Sequence, residues 1–181
     1  MCGIAGWLYA GDTRQRQQDL AGRMAQSLAH RGPNQEGIFH DDGICLIHGR
    51  LAVVDREHGR QPMSLAHAGE NFTLVYNGEF YNTAQLRGEL EALGWRFSGH
   101  GDTEVLLKAL AQWDLDALPR LNGIFAFALW EQKKRRLTLV RDRMGVKPLF
   151  YSRRPGTVVF ASQTGALLEH RSVRRRISAE G

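Results

Sequence analysis

The stretch GIFAFALWEQKKRRLTLVRD, residues 123–142, decides the fold. Two apolar runs, at 123–130 and 136–142, flank a short segment that is rich in charge. Apolar runs of this length on either side of a short connection are typical of strands that pair antiparallel. The sequence therefore predicts a central β-hairpin, with a charged tip that is solvated and discourages the strand edges from pairing with another chain.

Further strand-like runs lie on both sides of this hairpin. A second hairpin is predicted from PLFYSRR and TVVFAS, residues 148–154 and 157–162. Earlier apolar runs predict strands at 2–10, 37–39, 43–49, 51–55 and 72–78. Because these runs follow one another closely and are separate from the helical segments, they favour an α+β fold with antiparallel sheets over a doubly wound parallel sheet.

Three helices are predicted between the strands. The first covers about residues 15–29, the second begins at Asn82 and ends at Gly94, and the third has Asp102 or Thr103 as its N-cap. Apolar residues at three- and four-residue spacing form their predicted inner faces: Leu20, Met24, Ala25 and Leu28; Leu86, Leu90 and Leu93; Val105, Leu106, Ala109 and Leu110. The segment HRGPNQEG after the first helix is predicted to be a loop.

Length and composition bound the class of protein. With 181 residues, one domain can form a substantial core, since a chain of about 150 residues already buries roughly two thirds of its unfolded surface. No apolar stretch approaches the roughly 20 residues that a bilayer requires, and the apolar start lacks the basic segment of a signal peptide. We therefore expect a cytoplasmic protein with no membrane segment.

The formal net charge of +5, with basic clusters at 133–136 and 171–176, raises the question of a nucleic-acid ligand. No pattern of base-stacking aromatic residues accompanies these clusters, so a solvated surface is favoured and no nucleic-acid partner is expected. Phosphate-binding loops and the Cys/His spacings of zinc sites are also absent from the sequence. We expect this chain to bind neither nucleotide nor metal.

Cys2 stands directly behind the initiator methionine in MCGIAGWLYAGD. It could be a disulfide partner, a site of lipid or metal attachment, a small buried residue or a nucleophile. Cys45 is the one other cysteine, and two such thiols stay reduced in a cytoplasm. If Met1 is removed, the α-amine of Cys2, with an ordinary pKa of about 7.7–8.0, can accept the proton of its own thiol. Taken alone, burial is the commoner reason for a free cysteine.

Seven motifs narrow this choice: MCGIAGWLY, HRGPNQEGI, HGRLAVVD, YNGEFYN, GDTEVLL, LNGIFAFALW and RDRMGVKPLFY. Their order and spacing resemble the glutamine-hydrolysing domain of asparagine synthetases, a class II glutamine amidotransferase domain of the N-terminal nucleophile hydrolase superfamily. The resemblance covers residues 2 to about 170. It implies a four-layer αββα sandwich of two antiparallel sheets, with Cys2 at the end of the first strand.

The resemblance implies that Cys2 attacks the side-chain amide of L-glutamine. Asn77 and Gly78 then supply the oxyanion hole, through a side-chain amide N–H and a backbone N–H. By itself, however, an Asn-Gly pair is also the commonest signal for a two-residue hairpin turn. Cys45 is expected in the core.

The remaining site residues implied by the resemblance recognise the two charged ends of glutamine. Arg50 binds the α-carboxylate, for which a planar guanidinium is suited. Asp102 and Glu79 receive the α-ammonium group, although Asp102 equally suits a helix N-cap. The backbone of residues 51–54 completes the pocket wall and includes Leu51, Val53 and Val54.

Two neighbouring segments have supporting roles in the resemblance. Residues 30–33 form a loop over the site, with at most a supporting role for His30, and residues 141–148 shape the inner face of the domain. Asparagine synthetases continue into a second, ATP-dependent domain, whose pyrophosphatase loop does not occur in this sequence. We therefore expect residues 1–181 to be a single glutaminase domain truncated before that synthetase domain, where ATP and magnesium would bind.

Ammonia would pass to the synthetase domain to form asparagine or another amide, and a homodimer is compatible with the resemblance. The alternative is a catalytically silent domain of the same fold that only docks to a partner. The presence of Cys2, Arg50, Asn77, Gly78 and Asp102 favours the enzyme.

Overall fold

The computed structural model describes residues 1–9, 13–51 and 59–176. In these ranges the elements are β1 (Gly3–Tyr9), α1 (Arg14–Leu28), β2 (Gln35–Asp41), β3 (Ile44–Arg50), β4 (Met63–His67), β5 (Glu70–Phe80), α2 (Thr83–Ala92), α3 (Asp102–Trp113), a 3₁₀ helix (Asp114–Arg120), β6 (Gly123–Glu131), β7 (Arg136–Arg141), β8 (Phe150–Arg154), β9 (Thr157–Ala161) and α4 (Thr164–Leu167).

The strands form two antiparallel sheets. One has the order β2-β3-β1-β9-β8 and the other the order β4-β5-β6-β7. Within the second sheet β6 pairs with both β5 and β7, so the predicted hairpin over 123–142 is confirmed and its first strand is internal. The second predicted hairpin, β8–β9, is confirmed at the edge of the first sheet.

Three apolar clusters separate four layers. The space between the sheets is filled by Ile4, Ile44, Leu46, Val75, Ala126, Ala128, Trp130 and Phe160. Side chains of α1 and α4 pack on the outer face of the first sheet, and those of α2 and α3 on the outer face of the second. The order is helix, sheet, sheet, helix, which confirms the predicted α+β class and the αββα sandwich.

The two-residue period of a strand explains why β1 is apolar throughout. Ile4 faces the space between the sheets, whereas Ala5 and Trp7 face α1 and α4. Because both faces of the sheet are covered, a polar side chain on either face of β1 would reduce the buried apolar area. Each fully buried large apolar side chain contributes roughly 1.5–3 kcal/mol to the stability of the fold. Cys45 is fully buried on β3 by the same alternation, which confirms its predicted place in the core.

The three predicted helices exist, and one of their capping assignments is wrong. Asn82 is the N-cap residue of α2, as predicted, but its side chain makes no capping bond, since its Nδ2 donates to Arg120 O at 2.9 Å and its Oδ1 accepts from Asn122 N at 3.1 Å. It thereby joins the start of α2 to the start of β6. Gly101 is the N-cap of α3, and Asp102 is the first residue of that helix.

Two other expectations need correction. Leu93 is 56% exposed beyond the end of α2, whereas Leu86 and Leu90 are buried as predicted. β4 was not predicted, because MSLAH is short and has little apolar alternation. The predicted strand at 51–55 falls largely on residues 52–58, outside the part of the chain that the structure describes.

The charged tip of the β6–β7 hairpin is paired rather than simply solvated. Glu131, whose side chain is 1% exposed, bonds to Arg136 and, at 2.8 Å, to Lys134. Arg135 pairs with Asp42 at 2.8 Å. These carboxylates reduce the positive potential of the basic cluster.

Candidate active site

A cavity of about 470 Å³ collects the predicted site. Its lining includes Cys2, Arg50, Leu51, Asn77, Gly78, Glu79 and Asp102. These are all the predicted site residues within the described ranges, and Val53 and Val54 lie outside them. The catalytic and binding roles of the gathered residues remain predictions, whereas their convergence on one cavity is observed.

The site lies where polar residues replace apolar ones between the two sheets. On β3, Leu46 packs between the sheets, and His48 and Arg50 follow it at two-residue spacing on the same face. On β5, Val75 packs between the sheets and Asn77 follows it in the same way. Two neighbouring strands, one from each sheet, therefore place a guanidinium and an amide next to the same space.

Cys2 is half-buried directly before β1. Its Sγ lies 3.4 Å from Leu51 N and 3.8 Å from Leu51 O. Arg31 Nε donates a hydrogen bond to Cys2 O at 3.1 Å and so holds the backbone of the cysteine. The backbone of Leu51 and the side chain of Arg31 thus fix the position of Cys2 at the start of β1.

Arg31 belongs to the loop predicted to cover the site. Its Nη2 is buried and has no hydrogen-bond partner among the described residues. His30, by contrast, is exposed and does not line the cavity. Sequence reasoning assigned Arg31 no contact of its own, because its bond to Cys2 depends on how the loop folds back over β1.

Asn77 provides an unused buried donor. Its side chain is part of a residue that is 2% exposed, and its Nδ2 has no hydrogen-bond partner in the described ranges. Such a donor costs about 1–3 kcal/mol in a folded protein. A buried polar atom of this kind calls for an explanation, and a ligand oxygen in the adjoining cavity would satisfy it.

The competing interpretation of Asn77 and Gly78 as a hairpin turn is wrong. Asn77 pairs with Ala126 and Gly78 with Phe125 inside the β5–β6 ladder. A Cβ at position 78 would lie 2.6 Å from Ile124 O, so the neighbouring backbone leaves room only for glycine.

Asp102 lies at the start of α3 and faces β5. Its Oδ2 accepts a hydrogen bond from the Tyr76 hydroxyl at 2.6 Å and one from Phe80 N at 3.3 Å. Burial raises the pKa of Asp102 above its ordinary value, and the hydrogen bonds from Tyr76 and Phe80 oppose that rise. The carboxylate is thus held by β5 beside the cavity, in the helix's first turn, where negative charge is favoured.

Sequence reasoning missed Gln61, which lines the cavity, and His48, which contacts the cavity residue Tyr76. Gln61 Oε1 accepts from Tyr76 N at 2.6 Å and its Nε2 donates to Thr103 Oγ1 at 3.4 Å, which ties β5 to α3. His48 Nε2 lies 3.1 Å from Tyr76 O and ties β3 to β5 across the two sheets. The available signal for His48 was its inward position in the two-residue period between Leu46 and Arg50.

His48 is neutral in the folded protein. Burial, together with the positive charge of Arg50, lowers its pKa to about 4. A neutral ring bonded to a backbone carbonyl donates its Nε2 proton, and it does not supply a second positive charge to the site.

The charges around the cavity suit a zwitterionic ligand. Arg50, which is 5% exposed, and Lys147, which also lines the cavity, carry positive charges, and Arg50 is held by Gln35 Oε1 at 3.3 Å. Asp102 and the exposed Glu79 carry the negative charges. A ligand with one carboxylate and one ammonium group can pair with both sets, whereas a purely anionic or cationic ligand would leave one set unmatched.

The predicted inner-face segment is held rigidly next to this site. Asp142 accepts hydrogen bonds from Val146 N at 2.9 Å and from Lys147 N at 3.0 Å. Lys147 reaches the cavity, where its Nζ lies 3.6 Å from Met1 Sδ. The segment's contribution is therefore to the wall of the site.

Among the described residues, no group of three or more His, Cys, Asp or Glu side chains is placed to hold a metal ion. No helix in those same ranges has the length and apolar character needed to cross a membrane.

Comparison with known proteins defines the class and then the family. Two solved enzymes share the fold: glutamine phosphoribosylpyrophosphate amidotransferase from B. subtilis, with a TM-score of 0.76 and 23% identity over 91% of this chain and 42% of that one, and the allosteric regulatory enzyme of purine biosynthesis, with a TM-score of 0.75 and 22% identity over 93% and 43%. The class that these structures define for this chain is that of their common fold, two antiparallel sheets layered with helices.

A sequence model of the glutamine amidotransferase domain matches residues 1–181. Asparagine synthetase (glutamine-hydrolyzing) 3 of Bacillus subtilis strain 168 is 42% identical over 181 residues, which are 100% of this chain and 30% of the relative. Asparagine synthetase (glutamine-hydrolyzing) 1 of that strain is 38% identical over 170 residues, 93% of this chain and 27% of the relative. The chain belongs to the glutamine amidotransferase domain family, and it spans less than a third of the length of these relatives.

Proposed function

We propose that this chain hydrolyses L-glutamine to L-glutamate and ammonia, with Cys2 as the nucleophile. The observation that supports it is the cavity that joins the Cys2 thiol to charged groups of both signs and to the buried amide of Asn77, whose Nδ2 has no partner among the described residues. A zwitterionic amino acid with a side-chain amide matches each of these features.

The two charged ends of glutamine orient it. Arg50 pairs with the α-carboxylate, and Asp102 and Glu79 receive the α-ammonium group, so the side-chain amide is directed toward Cys2. Fixing the reacting atoms in this way can supply several kcal/mol of the barrier reduction. Hydrogen bonds from the Tyr76 hydroxyl and from the backbone N–H of Phe80 keep the Asp102 carboxylate in place before the substrate arrives.

The reaction proceeds through a thioester. The α-amine of Cys2 takes the thiol proton, and the thiolate attacks the carbonyl carbon of the side-chain amide. Asn77 Nδ2 and Gly78 N donate to the resulting oxyanion. The amine then passes its proton to the amide nitrogen, the C–N bond breaks, and ammonia leaves. Water attacks the γ-glutamyl thioester, glutamate departs, and the thiol is restored.

This chemistry requires removal of Met1. While Met1 is attached, the nitrogen of Cys2 is an amide and cannot accept a proton at neutral pH. Met1 is 59% exposed, which makes it accessible to a processing enzyme. The mature N-terminus would then place base and nucleophile in one residue.

Glutamate release by Cys2→Ala tests the proposal. We expect turnover to vanish in this variant, while Cys45→Ala stays active, because Cys45 is fully buried and burial raises the pKa of its thiol. Equal turnover by Cys2→Ala and the unmodified protein would refute the mechanism. Glutamine binding without turnover in the processed protein would favour the silent docking domain instead.

We further propose that residues 1–181 act as a single glutaminase domain whose ammonia is used by an ATP-dependent synthetase domain in a cytoplasmic protein. The names and lengths of the relatives support this, since they are asparagine synthetases of which this chain covers 30% and 27%. ATP and magnesium belong to the synthetase domain in this scheme. In the intact protein, Cys2→Ala should abolish asparagine formation from glutamine and preserve asparagine formation from added ammonia. Loss of both activities would contradict the proposal that the two reactions belong to separate domains.

A further inference from the structure

The segment between α2 and α3 is bound by side chains from both helices. The carboxylate of Glu104, in the first turn of α3, accepts hydrogen bonds from Ser98 N at 3.0 and 3.1 Å and from Gly99 N at 2.9 Å. A surface loop of this length would ordinarily leave such backbone groups to water. Here one carboxylate holds two consecutive N–H groups.

Two cations hold the carbonyl groups of the same segment. Arg87 of α2 donates to Gly99 O, and Lys108 of α3 donates to Arg96 O. Both cations also lie over the Phe97 ring, with Arg87 Cζ 4.2 Å and Lys108 Nζ 4.4 Å from its centroid. We refer to Arg87, Glu104 and Lys108 as the clamp.

The clamp is itself ordered by charge. Lys108 Nζ pairs with the Glu104 carboxylate, and both side chains are largely buried. Partial burial opposes ionisation of Glu104, but hydrogen bonds from Lys108, Gly99 and Ser98 outweigh it and lower its pKa. Removing either Glu104 or Lys108 therefore leaves the charge of the other side chain partly desolvated and without its ion-pair partner.

The clamped segment leads directly into the substrate cavity. Gly99 is followed by His100 and Gly101, which line the cavity, and then by Asp102, whose carboxylate faces it. Glu104 lies two residues further along the same helix turn. It thus holds both the approach to this wall and the start of the helix that carries Asp102.

We propose that Glu104 is a positioning residue for the α-ammonium end of the glutamine site. This inference rests on the proposed function. Glu104 makes no contact with the reacting amide; it acts by holding residues 98–101 and the first turn of α3 where Asp102 can meet the ammonium group. Its loss should weaken substrate binding and leave the nucleophile intact.

Glu104→Ala in the intact, processed protein tests the inference. We expect the KM for glutamine to rise about tenfold, equivalent to the loss of one hydrogen bond to a charged group, with kcat within about threefold. The rate at which iodoacetamide alkylates Cys2 should not change. Glu104→Gln, which retains an oxygen acceptor for Ser98 and Gly99 but loses the charge toward Lys108, should give an intermediate KM.

The matched control is Glu89→Ala. Glu89 is on α2 and forms an exposed ion pair with Arg120 at 3.1 Å, and neither residue belongs to the clamp. The KM of Glu89→Ala for glutamine should therefore equal that of the unmodified protein. An unchanged KM in Glu104→Ala, or equal losses in kcat and in Cys2 alkylation, would overturn the proposal. If Glu104→Ala does not fold, Glu104→Gln decides, and a KM at the unmodified level refutes it. Absence of turnover in the unmodified protein would refute the proposed function instead.

Discussion

Replacing Asn77 by alanine should lower kcat for glutamine hydrolysis without lowering the free energy of unfolding. If Asn77 Nδ2 donates to the oxyanion, its loss should lower kcat by about 10²- to 10³-fold, or roughly 3–4 kcal/mol of transition-state stabilisation. KM should change little, because the bond strengthens mainly in the transition state.

The effect on stability should be small or favourable. In the substrate-free protein Nδ2 is buried without a partner in the described ranges, at a cost of about 1–3 kcal/mol. Removal of the donor abolishes that cost and offsets the packing lost with the amide. We expect the free energy of unfolding of Asn77→Ala to equal that of the unmodified protein within about 1 kcal/mol, or to exceed it.

Two assays check both halves of this prediction: glutamate release at saturating glutamine, and urea unfolding without substrate. Asn71→Ala is the matched control, since Asn71 is also on β5 but is exposed and bonds to Gln132 Oε1 at 2.7 Å. It should keep full activity. A kcat for Asn77→Ala within about threefold of the unmodified value would exclude the oxyanion role, and a large loss of stability would show that the amide is structurally paired.

Three other outcomes follow from the titrating groups and the N-terminus. Burial raises the pKa of Asp102, and only its charged form binds an ammonium group, so the KM for glutamine should rise as pH falls. The hydrogen bond from Tyr76 lowers that pKa, so Tyr76→Phe should move the rise in KM to higher pH. A KM–pH profile unaltered by Tyr76→Phe would contradict this. His48, with its pKa lowered from 6.5 to about 4, stabilises the fold fully above pH 6.5 and loses that contribution between pH 6.5 and 4. Urea unfolding at several pH values should show that the free energy of unfolding falls by about 3 kcal/mol over this range. This pH-dependent fall should be absent in His48→Gln. Finally, protein that retains Met1 by mass spectrometry should show no glutaminase activity, and turnover in such material would exclude the α-amine of Cys2 as the base.

Local pattern was sufficient for most of the secondary structure. The apolar runs around 123–142 predicted the β6–β7 hairpin, and three- and four-residue spacing predicted α1 with its buried Leu20 and Leu28. Where partners come from elsewhere in the chain, local pattern did not predict the contacts. Asn82 occupies the N-cap position of α2, as predicted, but its side chain bonds to Arg120 and Asn122, which are 38 and 40 residues away, instead of to the helix.

From the sequence by itself, the ordered motifs indicated the family, and that resemblance implied the layered sandwich and the residues that meet at the cavity; the order and period of the apolar runs predicted the α+β class. Only the tertiary structure decided that Asn77 lies inside a strand with a side-chain donor that no described residue accepts from, that Arg31 holds Cys2, and that Glu104 clamps the approach to Asp102. The physical reason is that burial and hydrogen-bond partnership depend on which distant segments pack together. A motif names a side chain, but the packing of the sheets and helices sets its solvation and its partners.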